Sequence, residues 1–202
     1  MLDIFSKVVE LLAPTQPSIK TIRHEKPEQF VRFFTPHKVT DTTALSDYSN
    51  QIIKSAITAN KFYNYEQASV LLSTLIKHWL ETIPTKSTIF VPVPLSPKRL
   101  HSRGYNQVAR VLTHIQDPNI KVIPLIARTK DTVPQTELPR EQRFSNVADA
   151  FTYIHHPNIT ADVRIVLLDD VITTGATIHS AKLVLQENLP KQTEIISLAL
   201  AH

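Results

Sequence analysis

Two adjacent carboxylates, Asp169 and Asp170, precede the turn Thr173-Thr-Gly-Ala-Thr177 by three residues. The spacing suits a phosphorylated sugar. Backbone N–H groups and threonine hydroxyls at the start of a helix receive a phosphate, and ionised carboxylates accept hydrogen bonds from ribose hydroxyls. Thr173, Thr174, Gly175, Ala176 and Thr177 would then hold a 5′-phosphate, while Asp169 and Asp170 orient the ribose. Gly175 is one of only two glycines in 202 residues. Glycine kept in such a chain marks backbone that must adopt a conformation, or make an approach, denied to other residues. Neither Gly-x-x-x-x-Gly-Lys-Ser/Thr nor Gly-x-Gly-x-x-Gly occurs, so the common nucleotide loops are excluded. A plainer reading makes Asp170 a helix cap after a core strand, but it leaves both acids and the flanking threonines unexplained together.

The other glycine, Gly104, lies in Val91-Pro-Val-Pro-Leu-Ser-Pro-Lys-Arg-Leu-His-Ser-Arg-Gly-Tyr-Asn-Gln107. Lys98, Arg99 and Arg103 charge this segment, three prolines stiffen it, and it reads as a loop that could hold pyrophosphate. From Val91 to Arg143 nine lysines and arginines stand against four acids, so one quarter of the chain carries the whole of its +4 excess. Concentrated positive charge attracts polyanions such as pyrophosphate, nucleotides or nucleic acid. A solvated basic face is the bland alternative for the same residues.

These groups need elements to position them. Ile165 to Leu168 is a short apolar run of the kind buried on both faces of a parallel sheet. Ile178, Ala181, Val184 and Leu185 follow at helical spacing, in a helix beginning at Thr177. Strands are expected at Ile89–Val93, Val122–Ala127, Arg164–Leu168 and Thr193–Ala199. Helices are expected over Asp47–Ala59, from an Asn64 cap through Leu80 with Trp79 in the core, over Val108–Ile115, and briefly near Glu141–Asp149. Alternating strands and helices predict an α/β fold with a mostly parallel sheet flanked by helices, and ligands bind beyond the carboxyl ends of such strands. Met1–Leu12 reads as an amphipathic helix, and residues 13–47 as irregular with two strands, including the apolar piece Phe30–Phe34. The expected organisation is a small N-terminal appendage over 1–47 and one domain over 48–202.

Composition narrows the chemistry further. With no cysteine, thiolate zinc sites, disulfides and cysteine nucleophiles are excluded. No apolar run approaches the roughly 18 residues of a membrane span, so the default expectation is a cytoplasmic protein without membrane insertion. The nine histidines, among them the pair His155-His156 and His179, show no metal-ligand spacing.

The segment Arg164–Thr177 resembles the signature of type I phosphoribosyltransferases, which bind phosphoribosyl pyrophosphate (PRPP). Pro92-Val-Pro94, Lys98-Arg99 and Arg103-Gly-Tyr-Asn-Gln107 resemble the competence-protein ComF family, also called ComF/GntX-like phosphoribosyltransferases. Arg128-Thr129, Gln135, Leu138, Arg140, Arg143, Asn146-Val147 and Ala150-Phe151 resemble its next block, and Lys61-Phe62 another, so the likeness covers about residues 45–202. The family commonly begins with a four-cysteine zinc finger, which this chain lacks, so no zinc is carried over.

The resemblance implies a type I phosphoribosyltransferase-like fold and PRPP or ribose 5-phosphate as ligand, with Mg²⁺ bridging its oxygens and touching Asp169 and Asp170. It implies Asp169, Asp170 and Arg103 in the reacting centre and Lys98, Arg99 and Arg103 around pyrophosphate. Arg128, Arg140 and Arg143 would lie on a flap. The role implied is DNA uptake and single-stranded DNA handling in natural competence, with competence-machinery proteins as partners and Tyr105 as a base-stacking side chain. Two alternatives stand beside it: a phosphoribosyltransferase of nucleotide metabolism or salvage with an unidentified acceptor, and a non-catalytic regulator that binds PRPP.

Overall fold

A computed structural model describes residues 16–129, 150–157 and 159–202. Its strands are β1 (His37–Val39), β2 (Thr42–Ala44), β3 (Thr88–Pro92), β4 (Ile120–Val122), β5 (Ile126–Arg128), β6 (Phe151–Tyr153), β7 (Arg164–Val171) and β8 (Glu194–Ala201). Its helices are α1 (Pro17–Ile22), α2 (Pro27–Phe30, continued as a 3-10 turn over Val31–Phe33), α3 (Gln51–Tyr63), α4 (Glu66–Glu81), α5 (Pro97–Arg103), α6 (Gln107–Leu112) and α7 (Ala176–Asn188). Among the described residues one sheet runs β1-β2-β8-β7-β3-β4, and β5 pairs with β6 in a separate ribbon. Every pairing in the large sheet is parallel except β1 with β2. The expected α/β class, mostly parallel and flanked by helices, is what the chain forms.

Two-residue alternation along the strands sorts the core into two layers. Phe90, Val166, Leu168, Leu198 and Leu200 pack toward α3, α4 and α6, where Trp79, Leu72 and Val111 are buried. Ile89, Val91, Ile165, Leu167 and Ala199 pack toward α7 through Ile178, Ala181 and Leu185. The chain leaves β3 through α5 and α6 to reach β4 on one side; it leaves β7 through α7 to reach β8 on the other. The strand order therefore reverses between β3 and β7, which opens a crevice at their carboxyl ends, where open α/β sheets take ligands.

Local structure departs from expectation at several points, each with a physical reason. The segment after β3 is not a loop: Ser96 caps Pro97–Arg103 with its hydroxyl, Pro97 suits the first helical turn, and Gly104 ends the helix at φ +80°. Asn64 does not begin α4. It ends α3 in the left-handed region at φ 50°, and Asn50 caps the start of α3, with Oδ1 accepting from the Ile52 and Ile53 amides. β7 continues through Asp169 and Asp170 to Val171 because β8 still pairs there, Asp169 with Ala199 and Val171 with Ala201.

Val122–Ala127 divides between two sheets, and Phe30–Phe33 is helical with Phe30 buried. Strands at 37–39 and 42–44, on the N-terminal side of the boundary drawn at residue 47, hydrogen-bond into the large sheet. No helix among the described residues is long and apolar enough to cross a membrane. The helices expected at Met1–Leu12 and Glu141–Asp149, and the residues Arg140 and Arg143, lie outside the described residues.

Candidate functional site

Alternation sends the two acids of β7 to opposite layers. Asp170 has the parity of Val166 and Leu168 and faces α3 and α6; Asp169 has the parity of Leu167 and faces the turn into α7. Asp169 lines a depression of about 20 Å³ together with Thr173, Gly175 and Thr177. Its Oδ1 accepts the Asp170 amide at 2.8 Å. Burial first, then the Asp170 charge beside it, pushes the Asp169 carboxyl up to about 7, even though part of its surface meets solvent.

The bend from Ile172 to Gly175 separates strand from helix. Gly175 is the N-cap of α7 at φ +79°, and no side chain caps that helix. Asp170 is therefore not a helix cap. A Cβ at Gly175 would meet Thr40 Oγ1 at 3.3 Å and Ile172 Cδ1 at 3.5 Å, so the hairpin tip between β1 and β2 closes on the bend. Thr173 is exposed, and Thr174 carries a buried hydroxyl without a hydrogen-bond partner. A buried orphan hydroxyl costs free energy unless something occupies it. The amides of α7's first turn, which helices leave unpaired, rise beside it.

Asp170 is held from the opposite side. Lys61 Nζ, on the last turn of α3, lies 3.0 Å from Asp170 Oδ2, and Gln107 Nε2 donates to the same oxygen at 3.0 Å. Arg103 in turn donates to Gln107 Oε1. Burial alone would raise Asp170, but the Lys61 ammonium outweighs it and keeps the carboxyl below the ordinary range. The Arg103 guanidinium is drawn down by burial, with the Asp170 charge opposing.

Asn106 fixes this arrangement: its Nδ2 donates to Val93 O at 2.9 Å while its Oδ1 accepts from the Val108 and Ala109 amides. Tyr105 is anchored through its hydroxyl. Its hydroxyl donates to Asn60 O at 2.6 Å and accepts from the Asn64 amide at 3.1 Å, which clasps α3 to the β3 exit.

At the carboxyl end of β7 the structure thus places Asp169 with the bend Thr173–Thr177 on one side, and Asp170, linked to Arg103 through Gln107, on the other. Lys98 and Arg99 lie on the exposed surface of α5, and Arg128 sits in β5 with its guanidinium 5.5 Å from the centre of the Phe151 ring. Lys61 and Gln107 were not among the residues expected to act. The pairing of Lys61 with Phe62 drew attention, but nothing in its spacing points to Asp170. Among the described residues no three His, Asp or Glu side chains gather to hold a metal ion. Asp169 and Asp170 fit Mg²⁺ only as minor ligands beside oxygens supplied by a bound diphosphate.

No family model matches the chain. Curated relatives do. The chain is 27% identical to competence protein ComFC of Streptococcus pneumoniae over 151 residues, 74% of this chain and 64% of that protein. It is 34% identical to competence protein F of Haemophilus influenzae over 115 residues, 55% of this chain and 49% of the relative. Against competence protein ComFC of Bacillus subtilis it is 26% identical over 133 residues, 65% and 52% of the two chains. The match spans about half to two thirds of these relatives' length. The resemblance to ComF competence proteins is thus found in sequence comparison as well.

Among solved structures, adenine phosphoribosyltransferase of Leishmania tarentolae aligns at a TM-score of 0.45 and 13% identity, over 81% of this chain and 79% of that one. The enzyme of Leishmania donovani aligns at 0.42 and 15%, over 88% and 68%.

Proposed function

We propose that the chain is a ComF-type phosphoribosyltransferase-like protein that binds PRPP or ribose 5-phosphate with Mg²⁺ in the crevice between β3 and β7. The observation that carries this reading is the bend itself: a left-handed Gly175 opening α7 beside the half-buried Asp169 and the buried Asp170, with the Thr174 hydroxyl unpaired. In it the 5′-phosphate takes the amides and threonine hydroxyls of residues 173–177, Asp169 and Asp170 meet the ribose hydroxyls, and Arg103 faces the pyrophosphate. Mg²⁺ supplies charge neutralisation on the pyrophosphate oxygens. Were a nitrogen nucleophile to displace pyrophosphate from ribose C1, this chain's residues would contribute positioning and charge stabilisation, without a covalent nucleophile.

Calorimetric titration with PRPP and Mg²⁺ tests the ligand. Saturable binding is expected, weakened by about tenfold in Thr174→Val, the loss of one hydrogen bond to a charged group. Absence of any binding by the unaltered protein would remove the reading. Pyrophosphate release across a pool of nitrogenous acceptors then separates an active transferase from a PRPP-binding regulator.

The setting we propose, on the strength of the competence-protein relatives, is cytoplasmic handling of single-stranded DNA during uptake, together with proteins of the competence machinery. The exposed basic helix α5 beside the crevice favours the nucleic-acid part of this role.

A further inference from the structure

Phe62 is the most exposed of the large hydrophobic side chains among the described residues, at 63%, and Tyr63, next to it in the chain, is 42% exposed. A single exposed ring is ordinary on a protein surface; what sets this one apart is its neighbours. Lys61 Nζ lies over the ring at 5.9 Å from its centre and the Arg103 guanidinium at 5.6 Å, cation–π contacts that still leave the residue 63% exposed. On α5, Arg103 lies four residues after Arg99 and three after Leu100, so the three share one side of the helix. Leu100 is 46% exposed. An aromatic face bordered by cations in series matches an unstacked base followed by its phosphates. A lone anion would leave the ring unused, and a duplex keeps its bases stacked on each other.

We propose that Phe62 is the platform on which one base of a single-stranded nucleic acid stacks, with Lys61 and Arg103 holding the adjoining phosphates and Arg99 extending the track. The inference rests on the nucleic-acid part of the proposed function. It also places the strand against the sugar-phosphate crevice, because Lys61 contacts Asp170 and Arg103 reaches it through Gln107.

The test is fluorescence anisotropy of a labelled oligothymidylate and a hairpin duplex against the whole chain. The expected result is preference for the single strand and loss of about tenfold or more in Phe62→Ala, the size of one base–aromatic stack. Phe62→Trp should retain the affinity, and both variants should melt with the unaltered protein because the ring is exposed. Combined Arg99→Ala and Arg103→Ala should flatten the salt dependence, whereas Phe62→Ala should leave the slope unchanged. Single-strand binding that survives Phe62→Ala in full, or a loss shared equally by Phe62→Trp, overturns the platform alone. No binding by the unaltered protein overturns the nucleic-acid reading, and the platform with it.

Discussion

The exits from β7 and β3 face each other across one crevice, yet they are built in opposite ways. At the β7 exit, strand, acids, bend and helix are consecutive, so Asp169, Gly175 and the α7 amides are placed by local backbone geometry. At the β3 exit, the group that matters is assembled from three separate stretches: Lys61 from α3, Arg103 from α5 and Gln107 from α6, all converging on Asp170. One region is a contiguous cradle that can be damaged residue by residue. The other is a network in which each member's role depends on the fold already being formed.

Removing both acids strikes the point where the two regions meet. Asp169→Asn with Asp170→Asn should abolish detectable PRPP binding while leaving far-ultraviolet dichroism unchanged, since amides keep the shape of the carboxylates. Affinity equal to that of the unaltered protein would sever the crevice from the ligand altogether.

Lys61→Met breaks the assembled side alone. It leaves Asp170, whose side chain is 8% exposed, without its ammonium partner. Losing one partner of a buried ion pair costs up to about 3–5 kcal/mol, and the 29% exposure of Lys61 brings the expected loss nearer 2 kcal/mol. Denaturant unfolding should show it, with partial rescue by Lys61→Arg. Because protonation relieves an unpaired carboxylate, the deficit should shrink as pH falls. A constant deficit down to pH 4 would assign the effect to packing of the lysine stem.

The same division governs what could be read in the residue order. Asp169, Asp170 and Thr173–Thr177 form one continuous string with a recognisable chemical sense, and the structure keeps them together. The layers of the sheet were legible too, because apolar runs such as Ile165–Leu168 state their own burial. Lys61 was not, since a lysine at the end of an amphipathic helix is ordinarily solvated, and its partner is a strand far along the chain. Gln107 is buried, yet a neutral amide before an apolar run carries no sign of that. The helix Pro97–Arg103 was obscured by prolines that read as a stiff loop, although Ser96-Pro97 is a sound helix start. Asn64 looked like a cap for the helix after it; its left-handed φ closes the helix before it.

The two glycines give a matched pair of substitutions, one in each region. Both are left-handed, so alanine at either costs about 1 kcal/mol in backbone strain. At Gly104 an added Cβ meets nothing within 4 Å, and Gly104→Ala should cost no more than that. At Gly175 the Cβ meets Thr40 Oγ1 at 3.3 Å, so Gly175→Ala should cost about 2 kcal/mol and weaken PRPP binding as the bend shifts. Equal costs at the two positions would mean that the hairpin tip yields freely and does not shape the cradle.

The smallest expected effect separates the two acids by pH. Asp169 binds its proton more tightly in the folded chain, at about 7 against 3.8, so its contribution to stability is full below pH 3.8 and is lost as pH rises through 7. Asp170 is shifted the other way, so its contribution is present above pH 3.8 and is lost as pH falls through its lowered folded value. Between pH 7 and pH 4 only Asp169 should therefore tilt the stability curve of this pair, favouring the acid side by about 1 kcal/mol once its partial exposure is allowed for. Asp169→Asn should flatten that tilt, and Asp170→Asn should reduce it, because part of the tilt comes from the neighbouring charge. Chemical denaturation of the three proteins at matched pH values measures the slopes directly. If Asp170→Asn flattened the tilt completely and Asp169→Asn only reduced it, Asp170 rather than Asp169 would hold the proton, and the assembled and contiguous regions would have to exchange roles.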